Sequence, residues 1–181
     1  MDLAGRVAIV TGGGTGIGRA TSIRLAKAGA KAVVVNYSRS AAEAESTAEE
    51  LRLLGAEALP WPANIADESM VKNMIASTVD RYGSLDVLVN NAGTTHFIPH
   101  ADLDALTDQV WDDILSVNLK GTFFCCRAAA AALASAAGAI VNISSIAAIV
   151  LRALRSPTQS PKPASCSSPA RSLSPWHRRS A

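Results

Sequence analysis

A doubly wound α/β fold, with a parallel sheet covered by helices on both faces in three layers, is what this 181-residue chain predicts. Three observations carry the prediction. Short runs rich in Val and Ile, apolar on both faces, recur through residues 1–150, as strands buried inside a parallel sheet require. Stretches of helical period separate these runs, so the chain reads βαβαβαβαβ. A cluster of glycines stands between the first run and the first helix, where such folds turn tightly.

The first strand is Val7 to Val10, and the helix after the glycines runs from Ile17 to Ala28. Ala32 to Val35 is the second strand, followed by a helix from Ala41 to Leu54. Glu57 to Trp61 is a weaker candidate for the third, and Ser69 to Tyr82 has helical period. Val87 to Val89 is the fourth strand. A long helix then spans Asp108 to Ala134, with Val110, Ile114, Val117, Gly121, Phe124 and Ala128 at steps of four and three, which predicts one continuous buried face. Ala139 to Ile143 is the fifth strand, and the predicted spatial order is 3-2-1-4-5.

An apolar fraction of 49% provides for a core, and the length suits one domain. The net charge of +2 conceals a split. Residues 1–150 hold all 15 acidic residues against 11 basic ones, a net of −4, whereas residues 151–181 hold 6 basic residues and no acid. That division, with 8 Ser and 5 Pro in the last 31 positions, predicts a core domain over 1–150 and a disordered tail over 151–181. A basic arm meeting nucleic acid or a membrane is the alternative for the tail, but Trp176 and His177-Arg178-Arg179 are too little for a binding module. No run of about 18 apolar residues occurs and the start lacks a signal-peptide core, so the expected location is the cytoplasm. Cys125 and Cys126 are adjacent on a helix and Cys166 lies in the tail, a spacing that gives neither a disulfide framework nor a zinc site.

Thr11-Gly12-Gly13-Gly14-Thr15-Gly16-Ile17-Gly18 is the first sharp motif. Glycines there let the backbone approach a pyrophosphate, and the free N–H groups of the helix start face it. The spacing is G-x-x-x-G-x-G, from Gly12, Gly16 and Gly18. Asn90-Asn91-Ala92-Gly93 follows the fourth strand, Asn118 lies in Val117-Asn118-Leu119-Lys120-Gly121, and Asn142-Ile143-Ser144-Ser145 ends the fifth strand. Alone, Asn91 or Asn118 could do no more than satisfy backbone groups, and Ser145 could be a turn residue.

Together, and in this order, these motifs resemble the short-chain dehydrogenase/reductase family, whose nucleotide loop is T-G-x-x-x-G-[IL]-G. The resemblance covers residues 1 to about 150 and implies a Rossmann-like core that binds a nicotinamide nucleotide. It implies cofactor contacts from Gly12, Gly14, Thr15, Gly16, Ile17, Gly18, Asn91, Ala92 and Gly93, and catalytic roles for Ser145 and Asn118. Asn64 and Ile65 occupy the place where the family contacts adenine, with Asn64 keeping a carbonyl acceptor in place of the usual Asp.

A carboxylate at the end of the second strand would bind the ribose of NAD and repel a 2′-phosphate. Tyr37 stands there, followed by Ser38 and Arg39, a hydroxyl and a guanidinium suited to phosphate, so NADP(H) is favoured over NAD(H). The alternative for Arg39 is a solvated charge at a helix start. His96 and His100 flank Pro99, which argues against the helix that metal-ligand spacing would need; a loop near the substrate mouth is expected, and no metal is assigned.

The resemblance implies hydride transfer between nicotinamide and a small-molecule carbonyl or alcohol, with a Tyr-x-x-x-Lys pair supplying the proton donor. Thirteen and seventeen residues past Ser145 stand Thr158 and Lys162. An alkyl hydroxyl is too weak an acid for the task, and Pro157, Pro161 and Pro163 forbid the helix that would align Lys162. One set of codons for Ala153 to Ala164, read from the third base, translates as A-P-I-A-Y-A-V-S-K-A-G. The expectation is therefore a core left incomplete on its C-terminal side by a frame change near Leu151. The intact relative would be an NADPH-linked reductase of 3-oxoacyl thioesters, or a sugar or polyol dehydrogenase, and a homo-oligomer. For this chain the alternatives are a nucleotide-binding protein without turnover and a nonfunctional translation product, prone to aggregate through apolar surface the tail cannot cover.

Overall fold

The computed structural model describes residues 2–99 and 101–145. His100, Thr158, Lys162 and the whole 151–181 tail lie outside the described residues. Five parallel strands, β1 (Val7–Val10), β2 (Ala32–Tyr37), β3 (Glu57–Pro62), β4 (Val87–Asn90) and β5 (Ala139–Asn142), form one sheet in the order β3-β2-β1-β4-β5. This is the predicted Rossmann-like order. Five helices connect them: α1 (Gly16–Lys27), α2 (Ala41–Leu53), α3 (Glu68–Tyr82), α4 (Asp108–Leu115) and α5 (Thr122–Ser135).

Strand alternation sorts the core into two layers. Val7, Ile9, Ala32, Val34 and Leu88 point to one face, where α3 supplies Val71 and Met74 and α5 supplies Cys125, Ala129 and Leu133. Val10, Val33, Val35 and Val89 point to the other, against Ile23 and Ala26 of α1 and Ala44 and Leu51 of α2. β1 and β2 are buried throughout apart from Tyr37, which explains why they read as unbroken apolar runs. β3 is an edge strand and tolerates Pro60 and Pro62, whose missing N–H groups an interior strand could not lose.

Two expectations need correction. The fifth strand is not buried on both faces: Ala139 and Val141 are exposed, and Ile140 and Asn142 are only half-buried, because β5 is the other edge among the described residues. Nor is 108–134 one helix with one face. A π-helical turn over Ser116–Gly121 separates α4 from α5. Such a turn inserts an extra residue and so shifts the phase of the helix beyond it. The buried positions in α5 are Thr122, Cys125, Cys126, Ala129 and Leu133, while Phe124 and Ala128 are half-buried.

Asp86, at the foot of β4, ties the sheet to its surroundings. Its carboxylate accepts from Arg6 Nη1 at 2.6 Å, from the Val7 N–H at 2.9 Å and from Ser84 Oγ at 2.9 Å. Burial is the largest single influence and opposes the charge. The hydrogen bonds from Arg6, Val7 and Ser84 together outweigh it, so the carboxyl is held below its ordinary range. A lowered folded pKa contributes stability that is complete above the unfolded value, near pH 4, and is lost as pH falls through the folded one. Asp86→Ala is expected to cost about 2–3 kcal/mol at pH 7, chiefly by orphaning the Val7 N–H. Urea melts at pH 7 and pH 3 check this: the deficit of the variant should shrink at the lower pH.

Candidate cofactor site

The site forms where β1, β2 and β4 end side by side. Gly12, the first residue of the glycine loop to turn, has φ +61°, a left-handed conformation that suits glycine. Its two backbone groups are held by two asparagine side chains. Asn36 Oδ1, at the end of β2, accepts from the Gly12 N–H at 3.3 Å, and Asn91 Nδ2 donates to the Gly12 carbonyl at 3.0 Å. Asn36 is 1% exposed and satisfies its amide by donating to the Ala63 carbonyl at 2.9 Å and the Trp61 carbonyl at 3.3 Å. Thr11 completes the junction: its hydroxyl accepts from the N–H groups of Asn91 and Ala92, both at 3.0 Å, and donates to the Val89 carbonyl at 3.3 Å.

The remaining loop glycines serve different ends. A Cβ on Gly18 would collide with the Gly12 carbonyl and with Asn91 Nδ2, so Gly18 lets helix and loop pack. A Cβ on Gly14 would lie 2.8 Å from the backbone of Ala44, so Gly14 lets α2 approach, and its carbonyl accepts from Thr47 Oγ1 at 3.1 Å. Gly16, with φ +50°, has no atom within 4 Å of where a Cβ would stand. The N-terminus of α1 has no side-chain cap and no acidic residue in its first turn, so its N–H groups and partial positive charge are left for an anion.

A cavity of about 800 Å³ opens over this loop. Gly12, Gly14, Thr15, Gly16 and Ile17 form its floor, and Ile17 is 63% exposed there. On the β2 side it is lined by Tyr37, Ser38 and Arg39, with Asn64 and Ile65 from the loop after β3. On the β4 side Asn91, Ala92 and Gly93 continue to Thr94, Thr95 and His96, facing Asp113, Ser116 and Val117. Asp113 is the lone carboxylate among the described lining residues, and it is paired with His96 at 3.2 Å. The loop and both walls therefore fit a phosphate-bearing nucleotide: a floor built on Gly12, Gly14 and Gly16, open helix N–H groups and a guanidinium at one end.

Not every predicted residue lines the cavity. Gly18 lies beneath the loop, and Asn118 and Ser145 are not among the lining residues. Asn118 sits in the π-helical turn, where its Oδ1 accepts from the Thr94 N–H at 2.8 Å and its Nδ2 donates to the Thr94 carbonyl at 2.9 Å. That clamp fixes the loop after β4. Ser145 is exposed, three residues past the end of β5. Asn64 uses its Oδ1 to accept from the Ala66 N–H at 3.1 Å, and Ile65 packs against Gly121 of the π-helical turn. The sequence alone did not single out Asn36, for which the available signal was a polar residue near the end of an otherwise apolar strand, and Thr11 stood there only as the first residue of the glycine motif.

The short chain dehydrogenase family model matches residues 6–166. This chain belongs to the short-chain dehydrogenases. It is 44% identical over 140 residues to the 3-oxoacyl-(acyl-carrier-protein) reductase FabG of Staphylococcus aureus strain Mu50, a match covering 77% of this chain and 55% of that protein. It is 48% identical over 110 residues to the short-chain dehydrogenase/reductase homolog YusS of Bacillus subtilis, covering 61% of this chain and the whole of that protein. The crystal structure of a short-chain dehydrogenase from Burkholderia cenocepacia, in complex with NADP, superposes with a TM-score of 0.77 at 36% identity, over 83% of this chain and 60% of that one. This short-chain dehydrogenase thus spans a little over half the length of the staphylococcal reductase and all of YusS. Among its described residues no helix is long and apolar enough to cross a membrane.

Proposed function

We propose that this chain keeps the nucleotide-binding half of an NADP(H)-linked carbonyl reductase and lacks its proton donor. The observation that carries the proposal is the continuous cavity running from Ser38 and Arg39, across the glycine loop, to the loop after β4. The pyrophosphate would lie on the N–H groups of α1, and Ser38 and Arg39 would receive the 2′-phosphate. Asn64 and Ile65 would border the adenine, while Ile17 and Gly93 would border the nicotinamide side. The NADP in the Burkholderia neighbour supports this choice of nucleotide.

When bound, the nucleotide supplies or accepts the hydride. Similarity to the staphylococcal reductase favours 3-oxoacyl thioesters over sugars or polyols as the substrates of the intact relative. In that relative Ser145 would hold the carbonyl oxygen, Asn118 would position the loop beside it, and of the Tyr and Lys recoverable from the shifted frame the Tyr would donate the proton while the Lys lowers its pKa and binds the ribose. The segment that would carry them, including Thr158 and Lys162, lies outside the described residues. A second reading, nucleotide binding without turnover, is favoured by Thr158, which stands where the family pattern has its tyrosine.

Fluorescence titration tests the binding claim. The purified chain should bind NADPH more tightly than NADH, and Arg39→Ala should erode that preference by about ten- to a hundredfold, the loss expected for one charge-assisted contact. An unchanged preference in the variant would remove Arg39 from the site.

A further inference from the structure

On the β4 side of the cavity, away from Ser38 and Arg39, stands a histidine–carboxylate pair that the nucleotide does not need. His96 Nε2 lies 3.2 Å from Asp113 Oδ2, and the other carboxylate oxygen accepts from Gln109 Nε2 at 2.8 Å. Both side chains are part-exposed, at 39% and 42%, and both line the cavity. The pair is also held from behind. His96 is two residues from Thr94, whose N–H and carbonyl are both bound by the Asn118 amide, and Asp113 is on α4, which leads directly into the turn that carries Asn118.

We propose that His96, oriented by Asp113, is the positioning residue that hydrogen-bonds the oxygen of a carbonyl or alcohol substrate at this end of the cavity. The ring has two nitrogens, and engaging Nε2 with Asp113 leaves Nδ1 as the remaining polar edge. With Nε2–H donated to the carboxylate, the neutral ring presents Nδ1 as an acceptor, and the protonated ring presents it as a donor. One side chain can therefore meet both a hydroxyl, which donates, and a carbonyl, which accepts. Those are the two forms a substrate takes in carbonyl reduction. A Phe or Leu at position 96 could do neither, and a Lys could only donate. The neighbouring lining residues Thr95 and Ser116 are polar, which leaves this end suited to an oxygenated ligand.

The inference rests on the nucleotide reading, since the substrate must lie beside the nicotinamide, and its test separates the two. Ethyl 3-hydroxybutyrate, a simple 3-hydroxy ester whose hydroxyl can donate to Nδ1, is titrated into the 181-residue chain with and without saturating NADPH. Binding is followed by the imidazole nitrogen resonances, with that of His96 assigned by its loss in His96→Ala. The ester should move the Nδ1 resonance of His96. His96→Ala should raise the dissociation constant for the ester about tenfold, as loss of one hydrogen bond of this kind predicts, and leave that for NADPH unchanged. His96→Gln, which can donate and accept, should recover most of the loss; a purely structural role would not be rescued in this way. A still Nδ1 resonance, or equal ester affinity in His96→Ala, overturns the assignment. Absence of NADPH binding overturns the nucleotide reading alone, because the effect of the ester on Nδ1 is read in either condition.

Discussion

Incubated with NADPH and a 3-oxo ester, the 181-residue chain is expected to oxidise the nucleotide no faster than buffer does. A positioned general acid contributes roughly 10² to 10⁴ in rate. At the place where the family pattern puts its tyrosine this chain has Thr158, and the tyrosines it does contain are Tyr37 and Tyr82. Tyr37 lines the cavity on the β2 side, away from the β4 end that would face the nicotinamide. Tyr82 is buried at the end of α3, where desolvation first of all raises its pKa and so makes it a poorer acid. Neither can take over. Moving to the alternative frame near Leu151 should restore turnover by at least the same factor of roughly 10². Substrate-dependent NADPH oxidation by the chain as written, measured as loss of the absorbance of the reduced nicotinamide, would show that another group donates the proton.

Gly18→Val should be the most damaging single change in the glycine loop. Its Cβ would enter the space of the Gly12 carbonyl and of Asn91 Nδ2, two groups already hydrogen-bonded to each other at 3.0 Å. Neither is a flexible side-chain end that can swing aside. One is backbone, and the other is an amide that also holds the Thr11 carbonyl at 3.0 Å. Relief requires the loop to lift off the helix, at a cost of about 3 kcal/mol, with loss of measurable NADPH binding. Gly16→Ala is the control. Nothing lies within 4 Å of its Cβ, so the cost is the left-handed φ alone, about 1 kcal/mol. Thermal melts and NADPH titrations of the two variants should differ in that order, and equal effects would mean that loop packing does not depend on Gly18.

The sheet was legible because its inner strands carry no polar residue until their ends. Val7 to Val10 and the valines of β2 can be read only as strands buried on both faces. The nucleotide loop was legible for a related reason, since few structures other than a close turn need so many glycines in so short a stretch. The features that stayed hidden depend on long-range geometry. Nothing in Ser116 to Gly121 announces a π-helical turn, because its residues also suit an α-helix, and the Ala-rich stretch after it offers two faces of similar apolarity. Asn36 reads as the end of a strand, and only the folded chain shows it holding Gly12. His96 was expected in a loop at the substrate mouth, but its partner is 17 residues away on α4, a distance at which no local pattern operates.

The π-helical turn sets local preference against the assembled molecule. Losing any one residue from 116–121 would give α4 and α5 a more ordinary, unbroken α-helix, and would rotate everything after it by about 100°. Cys125, Ala129 and Leu133 would then swing off the core they share with Val71 and Met74. The same deletion would move Asn118 relative to Thr94 and release the loop on which His96 stands. The helix that is best in isolation is thus the wrong one for this protein, a case of frustration confined to six residues. Insertions and deletions are usually tolerated in loops and penalised in helices for the hydrogen bonds they break. Here the penalty would come from perfecting them.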